Sequence, residues 1–367
     1  MFIYKCILSS VRIGQQKNMD MQSMRSYISM LANGEVLNEI EAENAFNIIM
    51  SGDATPAQIG GFLMALRVRG ESISEITGAA RALRAKALFI EAPENAMDIV
   101  GTGGDATGTY NISTGAALVL AGTGIPVAKH GNRALSSKSG AADVLTSLGM
   151  NNEADFALIK KSIWEAGIGF LMAPRHHSAM RHVAGPRVEL ATRTIFNVLG
   201  PISNPSGVKR QLTGVYSKEL IEPIAHALGN LGCERTWVVH GSDGTDELTT
   251  AGKSYVASLE NGKVDTFEIS PGDAGLPEVS LEDLKGGDAE YNAEAIRKML
   301  AGEPGPYRDV VLLNTAAALI ISGKVKDLKE GVKVAANTID SGKAKLVLER
   351  MIEITNSIDV NGEVGDA

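Results

Sequence analysis

The sequence predicts an α/β protein, with a small N-terminal helical domain followed by a large α/β domain on a mostly parallel central sheet. Three observations predict it. Residues 26–89 read as four helices ahead of the first strand. From Asp98 onward, short β-rich apolar runs alternate with helical segments at the spacing of βαβ units. The first of those runs meets the glycine cluster Gly101-Thr102-Gly103-Gly104-Asp105, as a buried strand ending in a tight loop would.

The helical segment carries its own punctuation. Its first helix stops at Asn33-Gly34, a left-handed C-terminal signal. The second opens on Asn38 with Glu41 three residues later, a capping box. The third opens on Thr55 with Pro56 in the first helical position, and the fourth on Ser72 with Glu75. Arg67, Arg69, Arg81 and Arg84 read as solvated faces.

The α/β region follows in order. After the Asp98 strand, Ser113 or Thr114 is placed to cap an apolar helix over 115–121. Residues 125–128 form a strand leading into Lys129-His130-Gly131-Asn132-Arg133. Helices are expected over 140–148 and 155–166, a buried strand over 169–174, strands over 212–216 and 236–239, and a helix over 218–231. Residues 182–197 interrupt with helical segments, 245–267 read as a β excursion at the sheet edge, and three or four helices span 292–355. The expected divisions are an N-terminal extension over 1–23, a helical domain over 24–92 with crossover helices at about 184–208, an α/β domain over 93–183 and 209–355, and a fraying tail over 356–367.

Composition narrows the function classes. A chain of 367 residues with 44% hydrophobic content can bury a large core. Its net charge of −8 argues against a general nucleic-acid or membrane-surface binder. Cys6 and Cys233 supply no disulfide framework, which fits a reducing cytoplasm, and Cys233 reads as a small core residue. No stretch is long enough to span a membrane.

Against that acidic background, residues 106–142 contain no Asp or Glu but hold Lys129, Arg133 and Lys138. Glycines let backbone N–H groups approach a ligand, and a helix N-terminus adds positive potential, so this loop system reads as a site for a heavily anionic ligand. Gly101, Gly103 and Ala106 also fit a dinucleotide fingerprint, but no carboxylate follows about twenty residues on to hold a ribose hydroxyl. Asp243, Asp246 and Glu247, in a glycine-bearing loop after a strand, read equally as a Mg²⁺ site or as an acidic surface turn. Asp105 suits a ribose hydroxyl or a backbone turn, Arg187 reads as a helix-surface arginine, and His176-His177 as loop hydrogen-bonding groups rather than zinc ligands.

Five motifs in order resemble the anthranilate phosphoribosyltransferase family: Gly101–Asp105, Asn111-Ile-Ser-Thr114, Lys129–Arg133, Arg193-Thr-Ile-Phe-Asn-Val-Leu-Gly-Pro201 and His240-Gly-Ser-Asp-Gly-Thr-Asp-Glu247. The match covers about 24–354, on an architecture that nucleoside phosphorylases share. The resemblance implies transfer of a phosphoribosyl group from 5-phosphoribosyl 1-diphosphate to anthranilate in tryptophan biosynthesis. It implies that Gly101, Gly103, Gly104, Asp105, Thr109, Asn111, Ser113, Thr114, Lys129, Ser137 and Ser139 bind the phosphoribosyl diphosphate, and that Gly101, His130, Asn132 and Arg187 bind anthranilate. Ser113, Asp246 and Glu247 are implied to hold two Mg²⁺ ions, with no acid or base catalyst, in a homodimer paired through the helical domain. Two positions depart from the family pattern: Ser178 stands where proline often follows the histidine, and Ala191 where glycine often precedes the Arg-Thr-Ile-Phe-Asn segment.

Overall fold

A computed structural model describes residues 23–134 and 138–357. Ser137, residues 1–22 of the expected extension and residues 358–367 of the expected tail lie outside the described residues. The chain divides into two compact units. The first comprises 23–82 and 179–195, the second 83–178 and 196–357.

The first unit is helical: Met24–Ala32, Glu39–Ser51, Pro56–Arg69, the start of Ile73–Ala85, and Arg181–Leu190, which packs on the second and third of these. The expected caps form. Asn38 Oδ1 accepts the N–H groups of Ile40 and Glu41, and Glu41 returns a carboxylate to the Asn38 N–H. Gly34, at φ +81°, turns the chain out of the first helix while the Glu35 N–H donates back to the Met30 carbonyl. Glu75 does more than cap. Fully enclosed, it accepts from the N–H groups of Ser72 and Leu37 and pairs with Arg69. Arg69 and Arg81 are therefore partnered rather than simply solvated, Arg81 by Glu39 and Glu43, whereas Arg67 is exposed as expected.

The second unit is built on a seven-stranded sheet: β1 (Met97–Gly101), β2 (Val127–Gly131), β3 (Ile168–Met172), β4 (Arg210–Gly214), β5 (Arg235–Gly241), β6 (Ser254–Glu260) and β7 (Lys263–Ile269). Spatial order is β3-β2-β1-β4-β5-β6-β7. The first five strands are parallel, and β6 and β7 run antiparallel at the edge, beginning at Ser254 rather than at 245. Strand order reverses between β1 and β4, where Gly101 pairs with Gly214. Such a switch point opens a crevice at the carboxyl ends of the strands. The helix Ile112–Gly122, apolar around its circumference, packs between the sheet and the helices Pro306–Ser322 and Lys343–Thr355.

The unit boundaries sit elsewhere than expected, for identifiable reasons. Residues 88–90 belong to the second unit because the Leu88 N–H donates to the His176 carbonyl and the Ile90 N–H to the Pro205 carbonyl. Residues 196–208 cluster there too: Asn204 donates to Asp98 Oδ2 and to the Ala128 carbonyl, both at 2.8 Å. Arg84, expected on a solvated face, instead donates to the Ile202 and Leu231 carbonyls.

Candidate active site

The loop after β1 is shaped by left-handed backbone at Gly103 (φ +67°), Gly104 (φ +70°), Ala106 (φ +61°) and Gly108 (φ +66°). Asp105 turns inward on this loop, Oδ1 accepting the Thr107 N–H at 3.3 Å and Oδ2 the Thr107 hydroxyl at 2.6 Å. Of its two sequence readings, the turn is what forms. Thr109 bridges antiparallel to Lys285, so the loop is stitched to a second segment whose place there no local pattern predicts.

Asp246 and Glu247 come to this loop from beyond β5, and both are almost enclosed at 8% exposure. Asp246 Oδ2 accepts the Gly103 N–H at 2.6 Å and the Thr102 hydroxyl at 3.2 Å. Glu247 Oε1 accepts the Ser113 N–H at 3.1 Å. That contact corrects the helix start: the helix begins at Ile112, Ser113 and Thr114 lie inside its first turn, and a carboxylate from a distant loop satisfies a donor that a local hydroxyl was expected to take. Asp243 plays a different part, holding the turn through Thr245 and Thr249. The acidic surface turn is thus not what the pair forms.

Two glycines make room for the pair. A Cβ on Gly101 would lie 2.5 Å from Asp246 Oδ2, and one on Gly214 would overlap the Asp246 main chain. Gly214 is a site residue that the sequence reading missed. In the sequence it lies in the middle of the β-rich run 212–216, and only the pairing of Gly101 with Gly214 in the sheet sets it at the strand end beside Asp246.

Burial raises the proton affinity of both carboxylates; Asp105 adds to it at Asp246, and Asp246 adds to it at Glu247. Lys129 is the opposing charge. It is 2% exposed, and its Nζ donates to the Ile99 carbonyl at 2.6 Å and reaches Ser113 Oγ at 3.4 Å, with Asp98 as its strongest charge partner. Burial raises the Asp98 carboxyl to about 6, against the pull of Lys129. The ammonium therefore lies within the acidic cluster, whereas Lys138 and Arg133 are exposed.

Asn111 and Ser139 meet, Ser139 Oγ donating to Asn111 Oδ1 at 3.3 Å. His130 Nδ1 lies 3.1 Å from the Gly200 carbonyl, which requires an N–H there and leaves Nε2 the unprotonated nitrogen. Burial holds its pKa well below the usual histidine value. Asn132 is exposed and accepts the Arg133 N–H. His176 Nδ1 meets the Leu88 carbonyl at 2.7 Å, the hydrogen-bonding role expected. Arg187 belongs to the first unit, in the helix Arg181–Leu190, where partial burial lowers its guanidinium pKa. Among the described residues, no group of three or more His, Cys, Asp or Glu could hold a metal by itself, and no helix is long and apolar enough to cross a membrane.

Residues 25–87 match the helical bundle domain of a glycosyl transferase family, and residues 93–345 match its a/b domain. The anthranilate phosphoribosyltransferase of Paramagnetospirillum magneticum is 60% identical over 333 residues, 91% of this chain and 96% of that protein. The chain belongs to the anthranilate phosphoribosyltransferase family. Solved structures agree with sequence across that family. The anthranilate phosphoribosyltransferase from Thermus thermophilus superposes with a TM-score of 0.86 at 44% identity, covering 90% of this chain and 99% of that one. The Saccharomyces cerevisiae anthranilate phosphoribosyltransferase, solved in complex with PRPP and Mg, gives 0.83 at 32% identity, covering 92% and 99%.

Proposed function

We propose that this protein transfers the phosphoribosyl group of 5-phosphoribosyl 1-diphosphate to the amine of anthranilate, releasing diphosphate, as a step of tryptophan biosynthesis. The observation that carries this reading is the placement of Asp246 and Glu247: one carboxylate on the glycine loop at Gly103, the other on the helix N-terminus at Ser113. A buried pair of hard oxygen donors beside an anion loop suits Mg²⁺ that arrives with a diphosphate, and burial that raises the proton affinity of both groups raises their demand for a cation. Asp246, Glu247 and Ser113 would hold two such ions, which when bound stabilise the charge on the departing diphosphate.

The protein's own part is positioning and electrostatics. The left-handed loop over 103–106, together with Gly101, Thr109, Asn111, Thr114 and Ser139, holds the phosphoribosyl diphosphate. Lys129 sets the charge balance of the acidic pair from within. Anthranilate is held by Arg187, whose guanidinium fork matches a carboxylate, and by Gly101, His130 and Asn132. Neutral His130, with its Nδ1 proton committed to Gly200, is no acid catalyst. An aniline nitrogen sheds its proton readily after attack, so no strong base is needed. The protein acts as a homodimer paired through the helical unit, a state that light scattering measures directly.

The test is to mix the protein with phosphoribosyl diphosphate, Mg²⁺ and anthranilate and follow the loss of anthranilate fluorescence. The Asp246→Asn, Glu247→Gln double variant should lose turnover by orders of magnitude while its circular dichroism is unchanged. Cleavage of a pyrimidine nucleoside by inorganic phosphate, with anthranilate untouched, would replace this reading by a nucleoside phosphorylase.

A further inference from the structure

Asn292, in the helix Ala289–Leu300, is 2% exposed, and none of the roles assigned above uses it. Its Oδ1 accepts the Gly287 N–H at 2.8 Å. A backbone amide can only donate, so that contact decides which end of the Asn292 carboxamide is oxygen. The nitrogen must then face the other way, where Nδ2 donates to Asn111 Oδ1 at 2.9 Å. This second contact decides the Asn111 carboxamide in turn. Its oxygen faces Asn292 and also accepts the Ser139 hydroxyl at 3.3 Å, while its Nδ2 lies 3.5 Å from the Ser139 carbonyl.

The start of this relay is anchored to the glycine loop. The Tyr110 N–H donates to the Leu284 carbonyl at 3.0 Å, the Gly286 N–H to the Gly108 carbonyl at 2.9 Å, and Lys285 Nζ to the Thr107 carbonyl at 2.6 Å. A Cβ on Gly286 would lie 2.7 Å from both Asn292 Oδ1 and the Thr109 carbonyl, so only glycine lets this strap lie against both. Gly287, Asn292 and Asn111 thus pass one fixed donor direction from the strap to the phosphate loop.

We propose that Asn292 is a positioning residue for phosphoribosyl diphosphate: it orients the Asn111 carboxamide so that NH₂, rather than oxygen, is offered to phosphate. This rests on the reading of the loop as a phosphoribosyl diphosphate site. A phosphate oxygen accepts hydrogen bonds, and a carboxamide turned over would meet it with a lone pair instead of a donor.

Asn292→Asp tests the proposal. An ionised carboxylate still accepts the Gly287 N–H but cannot donate to Asn111, which then turns over. Asn292→Ala removes both bonds and leaves only the Ser139 hydroxyl on the Asn111 oxygen, which does not turn the carboxamide over. Binding of phosphoribosyl diphosphate with Mg²⁺ is measured by calorimetry, with kinetics for each substrate and thermal unfolding of each variant. Asn292→Asp should weaken phosphoribosyl diphosphate about tenfold or more. Asn292→Ala should weaken it less, and the anthranilate KM should stay unchanged in both. Unaltered affinity in Asn292→Asp, an equal or larger loss in Asn292→Ala, or parallel losses for both substrates would overturn the proposal. If Asn292→Asp does not fold, Asn292→Ser, which keeps a hydroxyl donor, must bind more tightly than Asn292→Ala; equal affinities overturn it. Absence of binding by the wild-type protein would overturn the site reading itself, and the proposal with it.

Discussion

Gly214 and Asp246 occupy the same space but for one absent atom: a Cβ on Gly214 would overlap the Asp246 carbonyl. The close approach sets Asp246 over the switch point, within reach of Gly103 and Thr102. Gly214→Ala must therefore push the acidic pair off its seat. The expected outcome is a loss of turnover of roughly a hundredfold, since displacements of about an ångström cost that much. Kinetics with circular dichroism as the folding control measure it, and full activity would show that the pair tolerates displacement.

Arg187→Ala separates the two substrates. A charge-assisted bidentate pair contributes about 1.5–3 kcal/mol, so the anthranilate KM should rise roughly tenfold to a hundredfold. The KM for phosphoribosyl diphosphate should move little, because the groups proposed to hold it lie in the glycine loop and around Asn111. Steady-state kinetics with each substrate varied in turn checks both. The reverse pattern would move Arg187 to the phosphate side.

Ala191 offers a stabilising change. It caps the helix Arg181–Leu190 at φ +48° and ψ +30°, a left-handed conformation that crowds its Cβ against the backbone. A glycine here would relieve that crowding. Ala191→Gly should stabilise by about 1 kcal/mol, read as an upward shift of the urea midpoint. A lower midpoint would mean that unfolded-state entropy outweighs the strain.

Cys233 gives a pH dependence with a definite sign. Burial raises its thiol from 9.0 to about 12. A group whose pKa is raised on folding contributes stability below its unfolded pKa and loses it as pH rises toward the folded value. Between about pH 8 and 10.5 the wild-type protein should lose about 2 kcal/mol more than Cys233→Ala. Parallel pH profiles for the two proteins would place the thiol in solvent.

How much of this was legible in the sequence depends on how far each contact reaches along the chain. The caps at Asn38, Thr55 and Ser72 are contacts over three residues, and the local pattern located them. The β1 strand and its glycine loop were equally local. Gly214 was missed because its meaning lies in Asp246, which reaches it only through the turn after β5. The partner of the Ser113 N–H is hidden for the same reason: nearby hydroxyls suffice locally, yet the donor goes to a carboxylate 134 positions away.

By itself, then, the sequence determined the class of fold, the order of its elements, the anion loop and the family motifs. Each follows from backbone propensity and side-chain type within a short window. Only the tertiary structure decided which carboxylate meets which donor, that Lys129 faces inward to the acidic pair, and that Asn292 orients Asn111 from 181 residues away. Those outcomes depend on strand order, because a parallel sheet with a switch point brings loops from distant parts of the chain to one edge, and no local pattern encodes which loops will meet there.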